Sequence, residues 1–391
     1  MQFIESKKSI TDKLGVNNWG IDFNLDKTED HVFHESFDWS AKMMNTLPIT
    51  YVRLGNSLYD KMFKENGMID FSRLDQAVSL IESYGLKIIM PIFFLQSSTV
   101  SYEEAKNNMR TMLYQLVDHY TGHGFTYEVF DEPTNAPTYW YGVDYKRAKE
   151  DIIQLSNYFC HLVTSMDKSA EFCAGDYPFI GGNSDWEKIA DNIARGGLEL
   201  ANAKYGSYHP YIIDNPERML TNPYHERMLN TIKNHGLIPM ATEYGYAHGD
   251  YSNFNGSYTR QQQSDYLIRQ TLLLDALGFD KIIAWTMDNT DRIWAMEQNV
   301  YDSDAWRDRK PRWNQHGLDY QQFFYQLQGF RFKENLSKDK HTYIFRYVRS
   351  GDEDRLVIWR VGESAHQQIM GQDLWLEETP HIYKLRTERR L

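Results

Sequence analysis

The sequence predicts a (β/α)8 barrel, an α/β fold (TIM barrel), followed by a small C-terminal antiparallel β domain. Three observations support this prediction: eight short apolar runs at regular spacing, helical patterns between them, and a change of pattern near residue 329. We expect the catalytic barrel to span residues 1–328. The β-rich accessory domain is expected to span residues 329–391 and to pack on the barrel.

Eight runs rich in β-branched and aromatic residues predict the barrel strands. Their starts lie 33 to 45 residues apart, which suits one strand, one helix and two loops each time. Near-continuous apolar strands that alternate with helices are typical of a parallel sheet covered on its faces. The runs begin at Gly15 (GVNNWGI), Ile49 (ITYVRLG), Leu86 (LKIIMPIFF), Phe125 (FTYEVFDEP), Ala170 (AEFCAGD), Tyr205 (YGSYHPY), Ile238 (IPMATEYG) and Lys281 (KIIAWTMDN).

The segments between these runs carry helix signals. Apolar residues repeat at helical spacing after Asp70, from Leu74 to Ile81. Capping-box patterns predict three further helix starts. These patterns are Ser101 with Glu104, Ser184 with Glu187, and Thr259 with Gln262.

The C-terminal part has the pattern of an all-β unit. Its apolar runs cover Thr342–Val348, Arg355–Val361 and His381–Leu385. Charged or Gly-containing turns separate these runs, which predicts antiparallel strands.

Composition and charge limit the possible partners. The formal charge of −12 leaves no basic stripe for a nucleic-acid backbone. The two cysteines do not make a disulfide scaffold or a metal site. The first residues lack a signal-peptide pattern, and no apolar run approaches a membrane-spanning length, so we expect a cytoplasmic protein, or a secreted one if the sequence has been trimmed. The oligomeric state stays open.

The most informative feature is a pair of glutamates, each at the end of a predicted strand. Glu132 closes the fourth run and Glu243 closes the seventh. In a (β/α)8 barrel the reacting groups lie at the carboxyl ends of the strands. Two carboxylates there suit glycoside hydrolysis, because one protonates the leaving oxygen while the other attacks the anomeric carbon.

Other polar and aromatic residues end neighbouring strands or follow them. Arg53 and Tyr211 could hold Glu243 ionised and oriented. A His at the end of the sixth run could bind sugar hydroxyls, and a Trp at the end of the eighth could stack on a sugar ring. The long, aromatic-rich segment from Met287 to His316 is expected to line the substrate. The predicted substrate-binding residues are Arg53, Asp131, His209, Tyr211, Tyr244, Trp285 and Trp294.

Electrostatic repulsion is expected to give the two glutamates different protonation states and therefore different roles. Retaining enzymes place their carboxyls about 5 Å apart, where two charges repel by roughly 3 kcal/mol at an effective dielectric near 20. One carboxyl is therefore expected to stay protonated. Asp131 beside Glu132 favours its protonated form, whereas Arg53 and Tyr211 would keep Glu243 charged. We predict Glu132 as acid/base and Glu243 as nucleophile, with no metal or cofactor.

Each residue has an ordinary explanation when taken alone. Asp-Glu-Pro usually opens a helix, and a buried His or Trp usually belongs to the core. Their joint occurrence at five strand ends favours an active site. A catalytically decayed barrel that binds carbohydrate remains an alternative. An aldolase- or enolase-like enzyme would need a lysine or metal ligands at strand ends, whereas Lys87 and Lys281 lie at strand beginnings.

At these residues the chain resembles the clan A glycoside hydrolases, the superfamily that includes cellulases, β-mannanases, β-xylosidases and α-L-iduronidase. The resemblance covers roughly residues 15–290. It implies a retaining enzyme that acts on an equatorial, β-linked glycan or glycoside, with its acid/base after strand 4 and its nucleophile after strand 7. Glu132 followed by Tyr139 and Trp140 resembles the β-xylosidase and α-L-iduronidase branch, which implies that Trp140 binds substrate. His209 and Tyr211 resemble a strand-6 motif of the cellulases.

Two positions depart from that superfamily. Asp131 stands where the superfamily has an Asn that donates a hydrogen bond to the sugar 2-hydroxyl. An ionised Asp can only accept, so the group at the sugar C2 stays open. The third run ends at Phe93–Gln96 without the histidine found there in cellulases.

Overall fold

The chain folds into a closed barrel with a smaller β domain at its C-terminal end. The computed structural model describes residues 1–18, 41–54, 68–92, 101–129, 145–179, 203–212, 214–251, 256–287, 296–298 and 312–385.

Eight parallel strands close the barrel, in the order β1-β10-β7-β6-β5-β4-β3-β2. All eight predicted runs form these strands, which confirms the predicted fold class. The strands are β1 (Leu14–Asn18), β2 (Tyr51–Leu54), β3 (Lys87–Ile92), β4 (Thr126–Val129), β5 (Glu171–Phe179), β6 (Tyr205–Pro210), β7 (Ile238–Ala241) and β10 (Lys281–Ala284). The two other strands in this stretch, β8 (Gly249–Tyr251) and β9 (Gly256–Tyr258), pair as a small antiparallel hairpin beyond β7.

Helices lie between the strands, and several predicted starts are confirmed. The side chain of Ser101 accepts a hydrogen bond from the Glu104 amide, and Thr259 and Gln262 form a complete capping box. The predicted start at Ser184 lies outside the described residues. The helices are α1 (Ser72–Ser83), α2 (Tyr102–His119), α3 (Tyr145–Met166), α4 (Pro223–Asn234), α5 (Arg260–Ala276) and α6 (Gln315–Gln326).

An ion pair between the buried Lys281 and the half-buried Glu171 lies at the amino-terminal end of the barrel interior. Lys281 Nζ donates to Glu171 Oε2 and to Thr126 Oγ1, each at 2.6 Å, and lies 4.1 Å from the centroid of the Tyr205 ring. Burial lowers the pKa of the Lys281 ammonium to about 8, in spite of the nearby carboxylate. Burial alone would raise the pKa of Glu171, but Lys281 and Lys204 outweigh it and hold this pKa at about 2. These groups lie at the strand beginnings, opposite the predicted site.

The C-terminal β domain is built from two antiparallel sheets. The four-stranded sheet has the order β13-β14-β15-β18, and a separate hairpin is formed by β16 and β17. Apolar side chains of this hairpin pack on one face of the larger sheet. The strands are β13 (Arg331–Asn335), β14 (Thr342–Val348), β15 (Arg355–Arg360), β16 (Ala365–Ile369), β17 (Gln372–Leu376) and β18 (His381–Lys384), preceded in the chain by β11 (Glu297–Gln298) and β12 (Arg312–Trp313), which pair with each other.

Buried polar contacts join the β domain to the barrel at helix α5. Arg269 of α5 is fully buried and donates to Glu217, which follows β6. Trp359 Nε1 of β15 donates to the same carboxylate at 2.6 Å. Further along α5, Asp275 accepts from the hydroxyl of Tyr347 at 2.9 Å. Because a buried charge that loses its partner is costly, these contacts fix the domain against the barrel.

Among the described residues, no helix has both the length and the apolar character needed to cross a bilayer.

Candidate active site

The predicted site residues that the structure describes converge at the carboxyl ends of the barrel strands. Arg53 is the third residue of β2, and His209 is near the end of β6. Tyr211 directly follows β6, Glu243 lies two residues beyond β7, and Trp285 directly follows β10. The closed barrel brings these strand ends to one rim, so residues far apart in sequence share one location.

Glu243 is held by hydrogen-bond donors on both carboxylate oxygens. Its Oε1 accepts from Arg53 Nη1 at 2.7 Å, and its Oε2 accepts from the Tyr211 hydroxyl at 3.0 Å. The Nδ1 of His209 lies 3.5 Å from the same Oε2. The Glu243 side chain is 9% exposed, so the carboxylate is largely desolvated yet reachable. A guanidinium and a phenol that donate to it favour its charged form, which is what a nucleophile requires.

Arg53 is a fully buried bridge between two carboxylates. Its Nη1 donates to Glu243, while its Nε donates to Glu128 Oε2 at 2.7 Å. Nη1 also donates to Asn17 Oδ1 at 3.0 Å. The amide nitrogen of Asn17 donates in turn to the carbonyl of Thr242 at 2.9 Å. The guanidinium and the backbone next to the candidate nucleophile are therefore fixed by one shared network.

Glu128 places a second negative charge in the barrel interior, beneath the rim. It is fully buried on β4, and its other oxygen accepts from Ser207 Oγ at 2.8 Å. Within the part of the chain that the structure describes, Arg53 thus pairs with two carboxylates rather than one. A cation shared in this way neutralises Glu243 less completely than a dedicated partner would, and this helps to preserve the basicity of the carboxylate.

The aromatic side chains near the site differ in their exposure to solvent. Tyr211 and Trp285 are partly exposed. The backbone amide of Trp285 donates to the carbonyl of Tyr244 at 2.9 Å, which ties the end of β10 to the segment after β7. Tyr244 itself is fully buried, and its hydroxyl shares a 2.6 Å hydrogen bond with Thr271 of α5. The Tyr244 side chain therefore packs between barrel and helix, and the predicted contact between this side chain and substrate was wrong.

Four predicted site residues, Asp131, Glu132, Trp140 and Trp294, lie outside the described residues. Their roles remain predictions. The geometric relation between Glu132 and Glu243 on which the two-carboxylate mechanism depends remains a prediction as well.

Three residues of the network were not predicted from the sequence: Asn17, Glu128 and Ser207. Glu128 had a visible signal, because a charged residue in the middle of an apolar strand must find a partner inside the barrel. Ser207 precedes His209 by two residues, and strand alternation puts both on the same side of β6. Asn17 lies beside Arg53 in the register of β1 and β2.

Comparison with solved structures shows the same fold in glycoside hydrolases. A glucosidase from Croceicoccus marinus aligns with a TM-score of 0.62 at 13% identity, over 96% of this chain and 82% of that one. A family 39 glycoside hydrolase from Bacteroides cellulosilyticus aligns with a TM-score of 0.62 at 14% identity, over 98% and 82%. The Thermotoga maritima protein Cel5A, solved with mannotriose, gives a TM-score of 0.53 at 15% identity, over 80% and 98%.

The fold is shared with these three proteins. The first two alignments extend over almost the whole of this chain and therefore include its C-terminal β domain. No family model matches the sequence, and no curated protein matches it either. At these identities the likeness establishes the architecture, and the activity has to be argued from the site.

Proposed function

We propose that this protein is a retaining glycoside hydrolase that cleaves an equatorial, β-linked glycosidic bond by double displacement. The observation that carries the proposal is the Glu243 carboxylate. It lies at the carboxyl end of β7, with Arg53 donating to one oxygen and Tyr211 to the other. A buried carboxylate that accepts from a guanidinium and a phenol at this end of a (β/α)8 barrel suits nucleophilic attack on an anomeric carbon.

The proposed reaction has two steps. Glu243 attacks the anomeric carbon while Glu132, three residues beyond β4, protonates the departing glycosidic oxygen. This forms a glycosyl ester on Glu243 and releases the aglycone. Glu132, now a carboxylate, removes a proton from water, which attacks the same carbon and frees Glu243. The anomeric configuration is retained because the carbon is inverted twice.

The residues around Glu243 have distinct proposed roles in these steps. Arg53 and Tyr211 hold the attacking oxygens in position and stabilise the carboxylate when it is released again. His209 and Trp285 are proposed to contact the sugar bound beside the scissile bond. Glucose-, xylose- and mannose-configured substrates should be tested equally, because the site residues do not select among them.

The decisive test compares Glu243→Gly and Glu132→Gly on aryl β-glycosides with a good leaving group. Both variants should lose several orders of magnitude in turnover. Azide should restore product in each, but with opposite anomers. In Glu243→Gly, azide displaces the aglycone directly and gives an inverted glycosyl azide. In Glu132→Gly, azide attacks the glycosyl ester on Glu243 and gives a retained one.

Proton NMR of the azide products distinguishes the two roles. The exposed Glu103→Gln variant serves as a control, and unfolding curves establish that every variant is folded. Near-normal hydrolysis by either glycine variant would refute the assignment. Sugar binding without hydrolysis by the unaltered protein, across a broad glycoside panel, would instead favour a carbohydrate-binding barrel.

A further inference from the structure

The hairpin of β16 and β17 presents a mixed aromatic and polar face to solvent. The strands are paired in antiparallel register, with His366 opposite Trp375 and Gln368 opposite Asp373. Because side chains alternate across a strand, these four lie on one face. All four are exposed, and Trp375 is 50% exposed. Of the four tryptophans whose side chains the structure describes, Trp375 alone is exposed.

The opposite face of the hairpin is anchored. Ile369 and Leu376 are buried in a cluster with Ile344, Leu356 and Ile358 of the four-stranded sheet. Gln367 accepts a hydrogen bond from the Thr342 hydroxyl at 3.3 Å. The two-residue turn at Met370 and Gly371 has positive φ at both positions, which matches the twist of the strands. The exposed face is therefore a fixed surface and not a loose loop.

Contacts within the exposed face orient the Trp375 ring. The His366 ring meets it edge to face, with centroids 5.0 Å apart. His366 Nδ1 lies 3.3 Å from Asp373 Oδ2 on the neighbouring strand. Trp375 is thus supported from one side while half of its surface stays open to solvent. Hydrogen-bonding groups of Asp373 and Gln368 continue along the same face.

This combination suits a neutral sugar chain. An indole ring offers an apolar platform for the axial C–H groups of a pyranose, while amide, imidazole and carboxylate groups match its hydroxyls. The face carries no Lys or Arg, so an anionic polymer has no charge partner there. A stable protein interface needs about 800 Å² per partner and a cluster of anchors, whereas this face has one large apolar side chain between polar ones.

We propose that the hairpin face of His366, Gln368, Asp373 and Trp375 is an auxiliary binding surface for a neutral polysaccharide. It is part of the β domain, whereas Glu243 follows β7 of the barrel. Its role goes beyond the proposed hydrolysis, since it would hold a polymer near the enzyme without contacting the scissile bond. Its test does not require the protein to be a hydrolase.

Affinity electrophoresis tests this surface on the full chain. Gels cast with xylan, mannan, hydroxyethylcellulose or mixed-linkage β-glucan should retard the protein in at least one case, and polygalacturonate should not. Trp375→Ala should weaken that retardation on the order of tenfold, since tenfold corresponds to about 1.4 kcal/mol and an aromatic contact is worth that much. Trp375→Tyr should keep part of it. Tyr114→Ala, which removes an exposed aromatic side chain on α2, should change nothing.

Activity on a small aryl glycoside separates this proposal from the hydrolase proposal. Trp375→Ala should hydrolyse it at the unaltered rate, whereas Glu243→Gln should lose hydrolysis but keep the retardation. Unchanged retardation of Trp375→Ala, or no retardation of the unaltered protein in any neutral gel, would overturn the proposal. Failure of hydrolysis alone would refute the proposed function and leave this surface standing.

Discussion

Replacing Glu128 by Gln tests how the buried charges beneath Glu243 act. Gln keeps the length of the side chain and an oxygen that can accept from Arg53 or Ser207, but it removes the negative charge. Of the carboxylates that the structure describes on Arg53, only Glu243 would then keep its charge. The substitution therefore changes the electrostatics of the site with little change in its packing.

The geometry gives the magnitude of the expected effect. One oxygen of Glu128 and one of Glu243 each lie 2.7 Å from different nitrogens of the Arg53 guanidinium. The N–H bonds of Nε and Nη1 diverge in the guanidinium plane, which puts the two oxygens roughly 6 Å apart. At an effective dielectric of about 20, two charges at this distance repel by about 3 kcal/mol, equivalent to about two pH units. Part of this is lost to local relaxation, so we expect about one to two pH units.

The assay is the pH dependence of kcat/KM on an aryl glycoside. Its acidic limb reports the ionisation of the essential carboxylate of the free enzyme. In Glu128→Gln this limb should move to lower pH, because a negative charge that opposes ionisation of Glu243 has been removed. The plateau rate should fall, since a less basic carboxylate is a weaker nucleophile.

Ser207→Ala is the matched control for this experiment. It removes the hydrogen bond from Ser207 to Glu128 without altering any charge. Its acidic limb should stay close to that of the unaltered protein. An unmoved limb in Glu128→Gln, or the same movement in both variants, would refute the electrostatic reasoning. Thermal unfolding identifies any variant whose fold is disturbed.

Two further predictions concern stability and pH. Burial lowers the pKa of the His225 imidazole to about 3. In the unfolded chain the pKa of His225 is near 6.5, so between pH 3 and pH 6.5 the unfolded state binds more protons than the folded state. Through this residue the free energy of unfolding should fall by about 3 kcal/mol from pH 7 to pH 4. Denaturant titrations of His225→Leu should show that this pH dependence is lost. The pKa of Glu171, held at about 2, gives stability that is present above pH 4.5 and lost as the pH falls towards 2. Glu171→Gln should lower the free energy of unfolding at pH 7 by about 3 kcal/mol, and Glu171→Gln with Lys281→Met should recover most of it.

Each stability prediction has its own control. The exposed His341→Leu variant should keep the full pH dependence, and a His225→Leu variant that also keeps it would contradict the assignment. If the double variant at 171 and 281 is no more stable than Glu171→Gln alone, the cost does not come from an unpaired buried Lys281.

The barrel strands could be predicted because their signal is local. Each needs only a short apolar run, and the spacing of the runs supplies the topology. The fifth strand was the weakest of these patterns, yet it is the longest in the barrel at nine residues. Its own composition has little strand propensity, and its pairing with β6 over most of its length stabilises the strand instead. Strand β16 was missed, since its sequence AHQQI has little apolar content.

The site could be predicted only where a strand-end rule applied. Arg53, Tyr211 and Glu243 were found together for that reason, and they are in contact. The prediction that Tyr244 contacts substrate was wrong because adjacent side chains of an extended chain point to opposite sides. The Glu243 side chain points into the barrel, so the Tyr244 side chain points outward. The sequence shows that Glu128 needs a partner but not which one, because Arg53 is 75 residues away and meets it only when the barrel closes.

The contacts of Glu217 make the β domain a structural component of the barrel rim. Glu217 lies in the segment that follows β6 and Tyr211, and its carboxylate accepts hydrogen bonds from Arg269 and Trp359. Cutting the chain before the β domain would take away the indole and open the ion pair to water, loosening the stretch that carries a donor to Glu243. Trimming the chain to its eight barrel strands would therefore disturb the segment that carries Tyr211, and substitutions on β15 should alter the position of this donor to Glu243.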